Sequence, residues 1–328
     1  MQTELRTINA PPAQFPISGA QLLKFIPVVV LGMFVIVLGA LNPQFRTTDN
    51  FGVILLQVST NALLAIGATF VILTGGIDLS VGSVAGLSGV AAALVAQQDD
   101  PSIAVAAAVV GILTGTLFGS LNGLLVSFAR IPAFVATLGT MTIAFGIASV
   151  LSNGSPISGL SDAFLSIGQM EWFGIQLPVF AMLLTVALAF FVLRWTRYGL
   201  QVYAVGGNSQ ASEIAGVNVR WIRLSVYTIS GTLAGIAGVI LASRVTAGIA
   251  VTGKGYELNA IAAAVIGGIS LMGGRGSMWG TVIGFLIIGV LDNGLNIMNV
   301  NAFYQEIIKG SIIIGAVFID AFANKKTS

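Results

Sequence analysis

Ile103–Phe128, IAVAAAVVGILTGTLFGSLNGLLVSF, is the stretch whose reading decides the fold. It carries no charged side chain and is longer than the roughly 20 apolar residues that cross a bilayer as a helix. Gly111, Gly115, Gly119 and Gly123 recur at every fourth position. On a helix that spacing puts them on one face, where a neighbouring helix can approach backbone to backbone. The stretch therefore reads as a membrane span with a packing stripe. Gly231/Gly235 and Gly280/Gly284 read the same way.

The rest of the chain repeats this chemistry. Of its 328 residues, 56% are hydrophobic and 8% charged, with a mean hydropathy of +0.97. A soluble domain carries about 25% charged residues, so a surface this poor in charge faces lipid. A net charge of +2 is no basic face for nucleic acid. Cysteine and histidine are absent, which excludes disulfides, thiol chemistry and zinc sites built from them. The first twenty residues are polar and contain proline, so no cleavable signal is expected.

Candidate spans are Lys24–Leu41, Phe51–Leu73, Val81–Ala96, Ile103–Phe128, Pro132–Val150, Pro178–Leu193, Leu224–Ala242, Leu258–Ile269, Met278–Met298 and Ile307–Ala323. The expected fold is an all-α integral membrane protein of about ten transmembrane helices, one membrane domain over 1–328. With the N-terminus inside, Arg6, Arg130, Arg194, Arg197, Arg220, Arg223, Arg275, Lys325 and Lys326 fall on the cytoplasmic side. Only Arg46, Arg244 and Lys254 fall outside, with Asp99, Asp100, Asp162 and Glu171. That bias follows the positive-inside rule and makes both termini cytoplasmic. Two loops are long: 151–177, external, with Trp172 and Phe173, and 194–223, internal and basic. Gly75-Gly76-Ile77-Asp78-Leu79-Ser80 and Gly267-Gly268-Ile269-Ser270-Leu271-Met272 share a faint likeness, as an internal repeat would.

Few polar groups interrupt the spans. Asp78 lies among Gly75, Gly76 and Gly82; the glycines break the helix, and a carboxylate there must be paired or wetted. The favoured reading is a cap, Asp78 or Ser80 accepting hydrogen bonds from the first turn of the next helix. The other is a place in a transport path or gate. Asp292, Asn293 and Asn296 lie within about one helical turn, and Glu306 and Lys309 stand at i and i+3, suited to an ion pair, with Asp320 further along. Asn293 and Asn296 suit either helix-to-helix hydrogen bonds or the lining of a wet passage. Gly248–Gly255 (GIAVTGKG) imitates a phosphate-binding loop but lacks the Ser or Thr after Lys254 and any strand before it, so no ATP site is expected here. No nucleophile–base–orienter set is present, so an enzyme is not expected, and no cofactor.

In the internal loop, Asn208 or Ser209 can cap a short helix through Gln210, Ala211, Ser212, Glu213, Ile214 and Ala215, which Gly216 ends in the left-handed region. Under two turns cannot stand alone, so it docks on this chain or on a partner.

Val71–Ser83 (VILTGGIDLSVGS), Ile131–Met141 (IPAFVATLGTM), Tyr203–Val217 (YAVGGNSQASEIAGV), Gly255–Ser277 (GYELNAIAAAVIGGISLMGGRGS) and Asn293–Gln305 together carry a family pattern. The chain resembles the permeases of bacterial ATP-binding-cassette (ABC) importers for monosaccharides, the ribose, xylose and galactose branch, and most of all its ribose members. The resemblance implies a pair of permease subunits on two cytoplasmic ABC ATPase subunits, fed by a periplasmic sugar-binding protein. The helix around Gln210–Ala215 would be the coupling helix that sits in the ATPase. Asn259 departs from the aspartate usual there, which puts a charge-based role at that position in doubt. The competing class is an ion-coupled secondary sugar transporter, which would use carboxylates such as Asp78, Asp292, Glu306 and Asp320.

Overall fold

The computed structural model describes residues 26–97 and 100–325. Arg6, Lys24, Asp99 and Lys326 lie outside them, as do the side chains of Asp320 and Lys325. Helix follows helix: α1 (Ile26–Leu41), a 3-10 turn (Pro43–Arg46), α2 (Thr48–Leu73), α3 (Val81–Val95), α4 (Pro101–Ser127) and α5 (Ala133–Leu151). The long external loop holds α6 (Asp162–Gln169) and a minimal hairpin, β1 (Glu171–Trp172) and β2 (Ile175–Gln176). Then come α7 (Leu177–Trp195), α8 (Arg197–Gly207), α9 (Ser209–Ile214), α10 (Val219–Arg244), α11 (Tyr256–Ile266), α12 (Met278–Ile297) and α13 (Ala302–Lys325).

Among the described residues, six helices are long and apolar enough to cross a membrane: α2, α4, α5, α7, α10 and α12. The expected spans at Lys24–Leu41, Val81–Ala96 and Leu258–Ile269 become helices of 16, 15 and 11 residues. At 1.5 Å per residue, α11 reaches only about half of a ~30 Å hydrocarbon core. Glycine sets that limit. Gly268, at φ +85, ends α11 with its N–H on the Val265 carbonyl and the Ile269 N–H on Ala264. This is a Schellman closure. Gly75, at φ +77, ends α2 identically, with Gly75 N–H to Ile72 and Gly76 N–H to Val71. The two look-alike stretches thus share a motif, displaced by one residue.

α10 is the centre of the bundle, packed on α4, α3 and α2. The α4 glycines meet it as the spacing predicts: a Cβ on Gly119 would stand 2.8 Å from Gly231 Cα, and one on Gly123 2.8 Å from the Leu224 carbonyl. Beside the stripe, the Thr116 and Thr232 hydroxyls lie 2.9 Å apart and Ser120 and Thr228 3.1 Å apart. The rest of α4 turns Val105, Leu113, Leu117 and Leu124 outward. So much exposed apolar surface on several helices suits lipid and not water.

The loops sort to two ends. At one, the Gly274 N–H donates to the Leu73 carbonyl and the Tyr203 hydroxyl to the Gly276 carbonyl. At the other, Ile157 bridges Gly248, Gln97 reaches the Ser158 carbonyl, and the Ser243 hydroxyl accepts from the Gly168 N–H. The predicted inner loops share the first end, and the predicted outer loops the second.

Candidate functional site

The break between α2 and α3 holds the most buried carboxylate network of the chain. Asp78 is 2% exposed. Its Oδ1 accepts from the Ser80 N–H at 2.9 Å and the Ser80 hydroxyl at 2.7 Å, and its Oδ2 accepts from Ser230 of α10 at 3.0 Å. Asn122 of α4 donates to the Ser80 hydroxyl at 2.8 Å and accepts from Thr140 of α5 at 2.6 Å. The carbonyl of Ile77, next in chain, accepts from Tyr227 at 3.3 Å. The expected cap is not formed. Asp78 binds the N–H of Ser80, the residue preceding the first turn, and Ser80 itself makes no side-chain cap. The carboxylate ties the broken segment to α10, and Ser80 ties it to α4 and, through Asn122, to α5.

Asn293 and Asn296 are drawn to different partners. Asn293 is buried and exchanges amide hydrogen bonds with Asn50 of α2, 2.8 and 3.0 Å, while Asn50 also donates to the Phe45 carbonyl. Exposed Asn296 accepts from Gln305 across the turn to α13 at 2.9 Å. Lys309 sits 2.9 Å from Glu306 and 3.6 Å from Asp292, so the i, i+3 pair forms and takes in α12 as well.

Sequence reasoning passed over Gln57 and Asn61. One turn apart on α2, each has a buried carbonyl oxygen without a hydrogen-bond partner among the described residues, and the carboxylate oxygens Glu257 Oε2 and Asp292 Oδ1 are likewise without one. The signal was there: two amides inside the apolar run Phe51–Leu73. Arg244 lies next to them, donating to the Leu56 carbonyl and the Thr60 hydroxyl.

At the opposite end stands α9. Asn208 caps it, its Oδ1 accepting from the Ala211 N–H at 2.9 Å. Gly216, at φ +86, closes it: its N–H donates to the Glu213 carbonyl and that of Val217 to Ser212. Ser212 is buried and faces the chain, its hydroxyl on the Asn208 carbonyl. Gln210, Ala211, Glu213 and Ala215 are exposed, Ser209 half-buried, and Ile214 is 89% exposed. Among the described residues Glu213 makes no ion pair. The Gly248–Gly255 loop turns tightly into α11, with Gly253 against Gly82, and forms no strand-to-helix phosphate cradle.

Residues 50–317 match the family described as branched-chain amino acid transport system / permease component. The ribose import permease protein RbsC of Haemophilus influenzae is 42% identical over 92% of this chain and 94% of its own length. The D-allose transport system permease protein AlsC of Escherichia coli is 40% identical over 90% and 91%. The L-arabinose transport system permease protein AraH of Escherichia coli is 36% identical over 90% of each chain. No solved structure matches this chain. A broken helix bound by a buried carboxylate, a capped surface helix and near-full-length likeness agree: this chain belongs to the permease components of import systems, multi-pass subunits of the membrane.

Proposed function

We propose that the chain is the membrane-spanning subunit of an ABC importer that moves a ribose-like monosaccharide across the inner membrane by alternating access. The near-full-length likeness to permeases whose names specify ribose, allose and arabinose carries the sugar reading. About ten hydrophobic segments, some of them half-length, together with the bias of Arg and Lys toward the loops at the α9 end, support a topology with both termini in the cytoplasm. Two permease subunits, alike or paralogous, form the passage between them. A periplasmic sugar-binding protein delivers at the end bearing α6 and the hairpin, whose tip residue Phe173 is 97% exposed. α9 is the coupling helix: Ile214 and Glu213 enter the ATPase, and Asn208 and Gly216 fix the helix ends.

Asp78 and Ser80 form the gate. Their hydrogen bonds fix the broken segment to α10 through Ser230 and to α4 through Asn122, so motion of α10 reaches the segment directly. Gln57, Asn61 and the exposed edge at Asn296 offer acceptors to sugar hydroxyls in the passage, while Asn293 holds α12 on α2. Weak, dispersed contacts of this kind release their cargo. The test is uptake of labelled ribose by cells expressing this chain with its ATPase and binding protein. Uptake is expected to need the ATPase and to survive collapse of the proton gradient; uptake that follows the gradient instead makes the chain a secondary transporter. In the same assay Asp78→Asn, which keeps size but gives up a charge-assisted bond, is expected to cut uptake by about tenfold with the ATPase still bound. Undiminished uptake removes Asp78 from the gate.

Orientation has its own measurement, since the chain has no cysteine. Phe173→Cys is expected to react with a membrane-impermeant maleimide in intact spheroplasts, and Ile214→Cys only after permeabilisation. Reaction of both from one side refutes this topology.

A further inference from the structure

A cavity of about 500 Å³ opens at the end bearing α9, between that helix, the α4–α5 turn, the start of α10 and the Thr74–Gly76 break. Arg130, Arg220 and Arg223 line it. Among the described residues none of the three makes an ion pair or a hydrogen bond through its side chain. Glu213 is the one acid of the lining, and it too is unpaired. At the α4 wall Ser127 is 5% exposed, and its buried hydroxyl has no hydrogen-bond partner among the described residues. Arg130 is held at φ +57, a conformation that a non-glycine residue adopts at some cost.

Three arginines lining one cavity, with a buried hydroxyl left unpartnered on a residue of its wall, make up the donor set of an anion site. Each guanidinium presents a planar fork that matches two oxygens of a phosphate, and charge-assisted bonds of that kind are the strong ones. We infer that this cavity binds a phosphate-bearing anion, with Arg220, Arg223 and Arg130 on the phosphate oxygens and Ser127 donating from the wall. Such chemistry comes from a soluble sugar phosphate on the cytoplasmic side or from the headgroup of an anionic phospholipid. The bound anion would touch both the break at Gly75–Gly76 and Gln210 of α9, but the inference itself concerns binding alone. It stands or falls apart from the coupling role of α9.

The experiment is calorimetry on the full chain in nanodiscs. Inorganic phosphate and ribose 5-phosphate are titrated into phosphatidylcholine discs, with ribose as uncharged control. Both phosphates are expected to bind one saturable site, and ribose not to compete for it. Arg220→Gln with Arg223→Gln is expected to weaken binding by more than about tenfold, and Ser127→Ala by several-fold, with Arg220→Lys retaining part of it. Size-exclusion elution at the parental volume checks that each variant is folded. If discs containing phosphatidylglycerol suppress the soluble anions, and the arginine variants lose that suppression, the site stands with the lipid headgroup as its occupant. Absence of saturable binding in both discs, or binding indifferent to the arginine and Ser127 variants, overturns the inference.

Discussion

Combining Gly216→Val with Glu213→Lys is expected to reduce sugar uptake to background while the chain still inserts and folds. Gly216 sits at φ +86 with open space around its Cα. The strain of a β-branched residue there is conformational, roughly 1–2 kcal/mol. That is enough to unwind a helix of six residues held by one cap and two closing hydrogen bonds. It is too little to unfold a bundle packed elsewhere. Glu213→Lys reverses the one acidic charge among Arg194, Arg197, Arg220 and Arg223. Ile214→Glu separates partner docking from helix stability, because an 89% exposed side chain contributes little packing within the chain. In each case the ATPase is expected to be lost during purification from the same membranes. Normal uptake with the ATPase retained would show that α9 is not the coupling element.

The parts of this fold legible in the sequence are those whose signal is local. The Gly111–Gly123 stripe announced a close helix contact because a helix repeats its face every third or fourth residue. Asn208 and Gly216 announced the ends of α9 because caps are chosen by residue type within one turn. Span count was harder. Leu258–Ile269 already reads shorter than Met278–Met298, but the sequence alone does not say how so short a segment ends; the left-handed turn at Gly268 closes α11 short of a full span. The hairpin at 171–176 was hidden as well. Its turn residues, Phe173 at φ +53 and Gly174 at φ +75, lack the Asn-Gly signature that usually marks such a turn. Least legible was the company Asp78 keeps. Ser230, Asn122 and Thr140 lie on three other helices, and each alone reads as an ordinary small polar residue in a span. Ser230 bonds the carboxylate itself, Asn122 reaches it through Ser80 and Thr140 through Asn122, so only the packing of α10, α4 and α5 around the break assembles the network.

That packing makes the α4–α10 seam sensitive to a single added side chain. Gly231→Val is expected to prevent assembly of the bundle. A Cβ at Gly231 would press on the Gly115 carbonyl oxygen and stand 2.5 Å from Gly119 Cα and 2.6 Å from Gly119 N. These are backbone atoms, which cannot turn aside as a flexible side chain does, so α4 and α10 must separate. Separation breaks the Thr116–Thr232 and Ser120–Thr228 contacts and draws Ser230 away from Asp78. Overpacking costs about 1–3 kcal/mol at a single site, and here the stranded polar groups add to it, because lipid offers them no partner. Gly139→Ala and Gly146→Ala on α5 are the controls: a Cβ at either meets nothing within 4 Å. Both are expected to keep the parental thermal midpoint in detergent, followed by fluorescence size-exclusion after heating, while Gly231→Val yields aggregate or no recoverable protein. A monodisperse Gly231→Val variant with the parental midpoint would mean that α4 and α10 do not touch along this stripe.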